Sequence, residues 1–517
     1  MESTLLSLVA EDSTRASRRI RVLLFIAWLA LVLWFCSTHI FWRDEVRAFS
    51  LALSGSNYAE MLRNVHGEGH PALWYLILRG AHDVFPYREV LPVAGAVIGI
   101  AAMAIFAFAA PFRAIIIALV MFSFWGAFEY IAVARNYGIS ALVMFGIAVL
   151  YGRIRGTLWF GVMIALLCNT NVPSCILAAS FMLFRFVEML SGKERPVRRD
   201  WAVFAGNSVL AVIGAYLCFR TVYPTFNDAA VSSNLTHLSI ASFGKALADS
   251  EWGFSHIGFD SWHGIPINFI LLCLSCLGLI RRPGAFAAAV AGLLALKLFF
   301  YLVYVSYYRH EILYLVFLLS LYWMDADGFG GSWRKVQDGR FRAVRQIGIT
   351  CFIALLLLQS VRLLSVVRAE IKGAPFSRIA DVAKLLKRPE LSGAIVMGDP
   401  DTMLEPLAYY ANNRVWFLRQ QTFGSVVRLS NHARINLSLT DILADAERLH
   451  AATGRPIVIL SHLHLQTQRY SSRRVMFQDA TVMRPQEVSK FLASTRHLAS
   501  LRPSESDEDY DVYVYPR

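Results

Sequence analysis

RASRRIRVLLFIAWLALVLWFCSTHI, residues 15–40, sets an apolar run from Ile20 to Ile40 against the cations Arg15, Arg18, Arg19 and Arg21. About 20 apolar residues rising ~1.5 Å each cover the ~30 Å hydrocarbon core of a bilayer. A cleavable leader has a shorter apolar stretch of about 7–15 residues followed by a small-residue site. That pattern is missing here, and the run reads as a retained membrane helix. The remainder of the chain agrees. Of 517 residues 56% are apolar and 17% charged, and 50 Lys+Arg against 37 Asp+Glu give +13. Soluble domains carry about 25% charge, and the mean hydropathy here is +0.47. Apolar residues in long runs exclude an ordinary cytosolic enzyme, a disordered basic tail and a nucleic-acid binder, which need Lys and Arg exposed over a hydrophilic surface.

Further apolar runs lie near 89–110, 114–131, 137–151, 157–168, 174–190, 201–219, 266–280, 284–303, 311–324 and 346–365. The expected fold is therefore an α-helical polytopic membrane protein of about eleven transmembrane helices. With the amino terminus inside, the loops carrying Arg113, then Arg153 and Arg155, then Lys193, Arg195, Arg198 and Arg199, then Arg281 and Arg282, then Arg334, Lys335, Arg340, Arg342 and Arg345 fall in the cytoplasm, as the excess of positive charge on that side requires. The loop 41–88, the loop 220–265 and everything after about 366 then lie outside. Arg43, Arg47, Arg63, Arg79 and Arg88 in the first of these run against the rule; Asp44, Glu45, Glu60, Glu68, Asp83 and Glu89 balance them, though acids count little in it. The organisation is a cytoplasmic segment 1–19, a membrane domain 20–365 and a soluble extracytoplasmic domain 366–517, in a multi-pass plasma (inner) membrane protein.

After Arg368 the pattern changes. Strand-like runs at Ala394 to Met397, Arg414 to Leu418, Pro456 to Leu460 and Val512 to Tyr515 alternate with helical patterns at 402–412, 440–452 and 486–493, which predicts a small α/β domain. Gly398-Asp399-Pro400-Asp401 follows the first strand; with no GxGxxG and no P-loop it reads as a turn and helix cap. Seven cysteines (36, 168, 175, 218, 273, 276 and 351) all sit in or beside apolar runs, so no disulfide framework is expected, and the Cys273/Cys276 pair reads as small core residues. Asn234-Leu235-Thr236 and Asn436-Leu437-Ser438 match an N-glycosylation acceptor, a pattern unused in a chain organised like a bacterial one.

The chemistry concentrates in the first outside loop. Phe41-Trp42-Arg43-Asp44-Glu45-Val46-Arg47 puts an acidic pair within a turn of the membrane boundary, where charge is expensive; the plain alternative is a helix start that favours acids. Downstream, His66-Gly67-Glu68-Gly69-His70-Pro71-Ala72-Leu73-Trp74-Tyr75 places Pro71 at the first position of a helix whose apolar face recurs at Leu73, Trp74, Ile77, Leu78 and Ala81. His70 at such a helix start can help bind an anion. His66, Glu68 and His70 are also alternating metal ligands, so a divalent metal stays open, although HxExH in an extended, glycine-rich stretch lacks the i, i+4 geometry of zinc proteases. Arg135, before Asn136-Tyr137, and Arg309, after Tyr307-Tyr308, land on the same outer face by the topology count; each alone reads more readily as an interfacial arginine beside a tyrosine belt, and it is their company with His70 and the acidic pair that points to function.

At these residues the chain resembles the GT-C superfamily of integral-membrane glycosyltransferases, within the protein O-mannosyltransferase and aminoarabinose-transferase branch and its bacterial RgtA/B/C/D-like relatives. The resemblance rests on Trp42-Arg43-Asp44-Glu45, on His70-Pro71-Ala72-Leu73-Trp74-Tyr75, where relatives often read HPPL, and on Arg135-Asn136-Tyr137 and Tyr308-Arg309; it covers roughly residues 20–320. It implies transfer of a sugar from a polyprenyl-phosphate donor to a lipid, glycan or protein hydroxyl by a single inverting displacement, with no nucleic-acid partner. Asp44 is then the general base and Glu45 orients the acceptor or Arg47. His70, Arg135, Tyr137, Tyr308 and Arg309 hold the donor phosphate, and Arg47, His66 and Glu68 support the acceptor side. A transporter or flippase of a lipid-linked sugar uses the same cations without transfer; its usual mark, two related halves with interrupted helices, is not evident in the sequence.

Overall fold

Every one of the apolar runs is helical in the computed structural model, which describes residues 15–192, 195–223, 239–249, 253–258, 266–333, 342–428, 433–465, 472–476 and 479–517. The helices follow in order as α1 (Arg15–Thr38), α2 (Arg43–Ala52), α3 (Tyr58–Val65), α4 (Leu73–Val84), α5 (Val90–Ala109), α6 (Ala114–Met121), α7 (Tyr137–Ile154), α8 (Trp159–Cys168), α9 (Val172–Ser191), α10 (Arg198–Val222), α11 (Ile240–Ala248), α12 (Ile267–Cys276), α13 (Pro283–Leu302), α14 (Tyr308–Ala326) and α15 (Arg342–Ile371). Residues 1–14, the cations Lys193, Arg334, Lys335 and Arg340, and the acceptor pattern Asn234-Leu235-Thr236 lie outside the described residues.

Seven of these helices, α1, α5, α7, α9, α10, α13 and α15, are long and apolar enough to cross a membrane. The other four expected spans differ from that count for physical reasons. The run 114–131 breaks after α6 into a π-helical turn, Trp125–Glu129, where Ser123 Oγ takes the Gly126 N–H at 3.0 Å. The runs at α8 and α12 are ten residues each, α12 continuing as a short 3-10 turn. α14 has 19 residues but begins Tyr-Arg-His-Glu and ends near Asp325; it is buried almost throughout and packs on α7 and α13 as the pillar of the bundle.

α1 shows how such helices divide protein from lipid. Trp28, Val32 and Phe35 are buried on one face, while Leu23, Ile26 and Leu33 are exposed on the other, apolar all round as a membrane helix must be. Trp28 Nε1 donates to the Gly126 carbonyl at 2.9 Å and so pins the π-turn against α1. All seven cysteines are free thiols.

The sheets follow α15. After α16 (Ile379–Leu386) come β1 (Ile395–Asp399), α17 (Leu407–Tyr410), β2 (Val415–Phe417), β3 (Thr422–Phe423), β4 (Asn436–Ser438), α18 (Leu439–Thr453), β5 (Ile457–Ser461), β6 (Ser472–Met476), β7 (Asp479–Met483), α19 (Pro485–Ser494), β8 (Arg496–Leu501) and β9 (Tyr510–Tyr515). A six-stranded mixed sheet has the order β3-β2-β1-β5-β9-β8, with β1 parallel to β2 and β5; a three-stranded sheet has the order β4-β7-β6. Val396, Val458, Leu460 and Val512 pack to one side with α16, and Ile395, Met397, Ile459 and Tyr513 to the other with α18 and α19. Strands covered on both faces read as continuous apolar runs, which is why β1, β2, β5 and β9 are visible in the sequence. β3, β4 and β6 to β8 are not: they are short or carry polar edges. The Gly398–Asp401 turn ties strand ends together, since the Asp401 carboxylate accepts the N–H groups of Leu418 and Arg419 at 2.8 and 2.9 Å.

Candidate active site at the end of the helix bundle

α1 stops at Thr38, the chain turns through His39–Phe41, and α2 restarts at Arg43 with Trp42 extended before it. Glu45 sets this restart. One carboxyl oxygen takes the Trp42 N–H at 3.2 Å and meets His39 Nε2 at 2.9 Å, and the other takes the Ala134 N–H at 2.6 Å. Glu45 is wholly buried. It fastens the start of α2 to the segment between the π-turn and α7 and does not reach Arg47, contrary to the expectation that it orients that arginine. Arg47 is instead held by Glu68 at 2.9 Å, by Glu405, and by the Val427 carbonyl at 2.8 Å.

Asp44, one step round the helix, faces a different way. Its Oδ2 lies 2.7 Å from Arg135 Nη1 and 3.2 Å from Arg309 Nη1, with the carboxylate 33% exposed. Arg135 arrives on the short segment before α7. That segment sits tightly against α5, where a Cβ at Gly99 would fall 2.6 Å from Ile131, and against α7, where one at Gly138 would fall 2.7 Å from the Tyr130 carbonyl. Arg309 arrives in the first turn of α14. Its Nε meets Glu129 at 3.3 Å, and its guanidinium lies 4.9 Å over the Trp42 ring.

His70 joins through Arg135, whose Nη2 is 3.1 Å from His70 Nε2. The other ring nitrogen faces the Glu68 carbonyl at 3.4 Å, which can only accept, so Nδ1 carries the proton and Nε2 accepts from Arg135. The imidazole therefore orients the guanidinium. Tyr137 stacks on Tyr130 at 5.7 Å, lies under Arg135 at 5.9 Å, and its hydroxyl meets His310 Nε2 at 2.8 Å. Tyr308 turns elsewhere: its hydroxyl donates to Gln359 and Arg362 stacks on its ring at 4.1 Å. Asp44, His70, Arg135, Arg309 and Tyr137 thus converge, whereas Glu45, Arg47 and Tyr308 lie around them with other partners.

Burial pushes the Asp44 carboxyl upward, but Arg135, then Arg309 and Arg43, more than offset it and hold the group well below the usual carboxylate range. Burial, reinforced by the Arg135 charge and partly opposed by Asp44, pushes His70 down to about 4. A histidine at about 4 when folded, against roughly 6.5 unfolded, binds fewer protons folded than unfolded. Its contribution to stability is present above about pH 6.5 and is lost as pH falls toward its folded value. The thermal-unfolding midpoint in detergent is expected to drop further between pH 7 and 5 for wild type than for His70→Asn; parallel drops would contradict a buried neutral imidazole.

The HxExH residues do not fit a metal. His70 faces Arg135, Glu68 pairs with Arg47 at 2.5 Å, and His66 closes α3; among the described residues no three His, Cys, Asp or Glu converge as ligands. Two contributors escaped the sequence reading. Glu129 is a lone acid inside the run 114–131, and an acid in such a run is rare enough to have signalled it. His310 needs the fold, because only the helix phase of α14 aims it at Tyr137.

No protein-family model matches the chain, and no curated protein matches it. Among solved structures, ArnT from Cupriavidus metallidurans in the apo state is similar at 14% identity and a TM-score of 0.48, covering 95% of this chain and 97% of that one. ArnT from Cupriavidus metallidurans bound to undecaprenyl phosphate is similar at 12% identity and a TM-score of 0.41, covering 89% and 97% respectively.

Proposed function

We propose that this chain is an integral-membrane glycosyltransferase that moves a sugar from a polyprenyl-phosphate donor to an acceptor hydroxyl at the outer boundary of the bilayer. The observation that carries the reading is one carboxylate oxygen, Asp44 Oδ2, shared by two arginines 174 residues apart in the chain, at 2.7 and 3.2 Å, at the end of a bundle of apolar helices. A lipid-linked phosphate needs cations at the edge of hydrocarbon, and a hydroxyl nucleophile needs a base beside them.

In the step, Asp44 takes the proton of the acceptor hydroxyl as its oxygen bonds to the anomeric carbon. The bond from that carbon to the phosphate oxygen breaks on the opposite face, and the electron pair leaves with the lipid phosphate. A single displacement inverts the anomeric centre. Negative charge gathers on the leaving phosphate, where Arg135 and Arg309 stabilise it as charged donors. His70 positions Arg135, and Tyr137 with His310 forms the adjoining wall.

Purified protein given a radiolabelled polyprenyl-phosphate sugar and membrane extract is expected to pass label to an acceptor. A donor that crosses vesicles without any label appearing on an acceptor would instead mark a flippase. Arg309→Ala is expected to weaken polyprenyl-phosphate binding by about ten- to a hundredfold, the worth of one charge-assisted hydrogen bond of ~1.5–3 kcal/mol, with a smaller loss of stability from the Glu129 carboxyl it leaves behind. Equal affinity for variant and wild type would remove the phosphate role.

A further inference from the structure

The two arginines on either side of Asp44, Arg43 and Arg47, both reach the C-terminal domain. Arg43 makes a two-pronged ion pair with Asp507, Nη1 to Oδ1 at 2.7 Å and Nη2 to Oδ2 at 3.0 Å, and its backbone N–H donates to Glu508 at 2.8 Å. Glu508 is wholly buried and is itself held by the Ser377 hydroxyl. It therefore acts as an acceptor at the N-terminus of α2, where a carboxylate is favoured by the free N–H groups and the helix dipole. On the next turn Arg47 joins Glu68, in the loop leading to His70, to Glu405, a buried acid that also takes the Val427 N–H at 2.6 Å. Phe41, just before the helix, donates its N–H to Tyr410 Oη at 2.7 Å, and Phe376 packs edge-on to Trp42 at 5.5 Å.

We infer that the C-terminal domain is a working part of the site: Asp507, Glu508 and Glu405 are positioning residues that fix the Asp44 helix and the His70 loop in one arrangement. The inference rests on the transfer reaction proposed above. The domain's acids grip α2 on both sides of Asp44, at Arg43 and Arg47, and leave Asp44 itself to the arginines of the membrane half. Arg47 couples the two walls, since the same guanidinium bridges Glu68 and Glu405. Buried carboxylates are costly unless paired, and the buried Glu508 and Glu405, with the more exposed Asp507, pair with the two arginines of this one helix. A domain that only docked would gain as much from contacts anywhere on the outer face.

The test uses the full-length protein. Asp507→Asn combined with Glu508→Gln keeps size and one acceptor oxygen on each side chain but removes the charge. Turnover is expected to fall about tenfold, while affinity for a polyprenyl phosphate stays within about threefold, because Arg135, Arg309 and His70 belong to the membrane half. The unfolding midpoint is expected to fall part-way, since the buried amide keeps one acceptor oxygen for two donors, while leaving the protein folded at the assay temperature. Asp507→Glu, which preserves the pair, is expected to retain turnover within about twofold. Unchanged turnover in the folded double variant overturns the inference, as does a loss of turnover matched by equal losses of donor affinity and stability. Should the double variant fail to fold, Asp507→Asn alone, at a side chain 40% exposed, carries the same comparison. Asp44→Asn run alongside separates the two claims: a fully active Asp44→Asn sinks the reaction, while an inactive one beside a fully active double variant sinks the positioning role alone.

Discussion

Asp44→Asn is expected to lose turnover by at least about a hundredfold and, at the same time, to bind a polyprenyl phosphate more tightly than wild type. The first effect follows from the proposed reaction, in which Asp44 is the general base, a role that contributes roughly 10²–10⁴-fold. The second follows from competition. Asp44 Oδ2 occupies the Nη1 atoms of both Arg135 and Arg309, the donors a phosphate would use. A neutral amide holds them less strongly than a carboxylate, so the variant releases two cations to the lipid phosphate, and affinity should rise several-fold. The same competition explains how a carboxyl held well below its usual range by arginines can act as a base. In the proposed reaction a donor phosphate that draws the guanidinium groups away would strip Asp44 of the cations that make it acidic, and its basicity would rise. The acid limb of kcat should therefore lie at higher pH than that of kcat/KM, because kcat reports the donor-bound enzyme. Titration of purified Asp44→Asn and wild type with the lipid, beside a turnover assay, checks both halves. Weaker binding by the variant would mean that carboxylate and phosphate do not share the arginines.

The membrane half was legible because lipid restricts composition: a run such as Ile20–Ile40 has few alternatives, and each such run is helical. Length was less legible than helicity. The 114–131 run breaks at a turn organised by Ser123 and Gly126, and hydropathy does not register one hydroxyl. At the site, the pair Asp44-Glu45 stands out in the sequence as a unit, but neighbours in a helix point about 100° apart. Which of the two meets the arginines depends on where Ala134 and His39 present groups to the other, and those contacts are tertiary. Arg43 and Arg47 read as an exception to the positive-inside rule. Their partners, Asp507, Glu508 and Glu405, lie more than three hundred residues away, beyond the reach of any local pattern. Tyr308 and Arg309 show the same limit: adjacent in sequence, they face different clusters because α14 turns between them.

Glu45→Ala is expected to leave little folded protein, and this separates Glu45 from Asp44 in kind. The Glu45 carboxyl is wholly buried and is the acceptor for two backbone N–H groups, Trp42 and Ala134, and the partner of His39 Nε2. Truncation strands these groups away from water at about 1–3 kcal/mol each, or roughly 2–6 kcal/mol for the two backbone donors. That is a large share of the ~5–15 kcal/mol by which domains are stable. Glu45→Gln retains one carbonyl oxygen, which can serve either Ala134 or the Trp42–His39 side but not both, so an intermediate loss is expected. If Glu45 also touched the acceptor during reaction, Glu45→Gln would turn over as poorly as Asp44→Asn, far out of proportion to its intermediate loss of stability. A positioning role makes the opposite pattern: in the series wild type, Glu45→Gln, Glu45→Ala, the unfolding midpoint in detergent and the recovered monodisperse protein fall together with turnover. Thermal unfolding measured beside turnover on the same preparations decides between them, because only a group that fastens the start of α2 to the segment bearing Arg135 loses both at once.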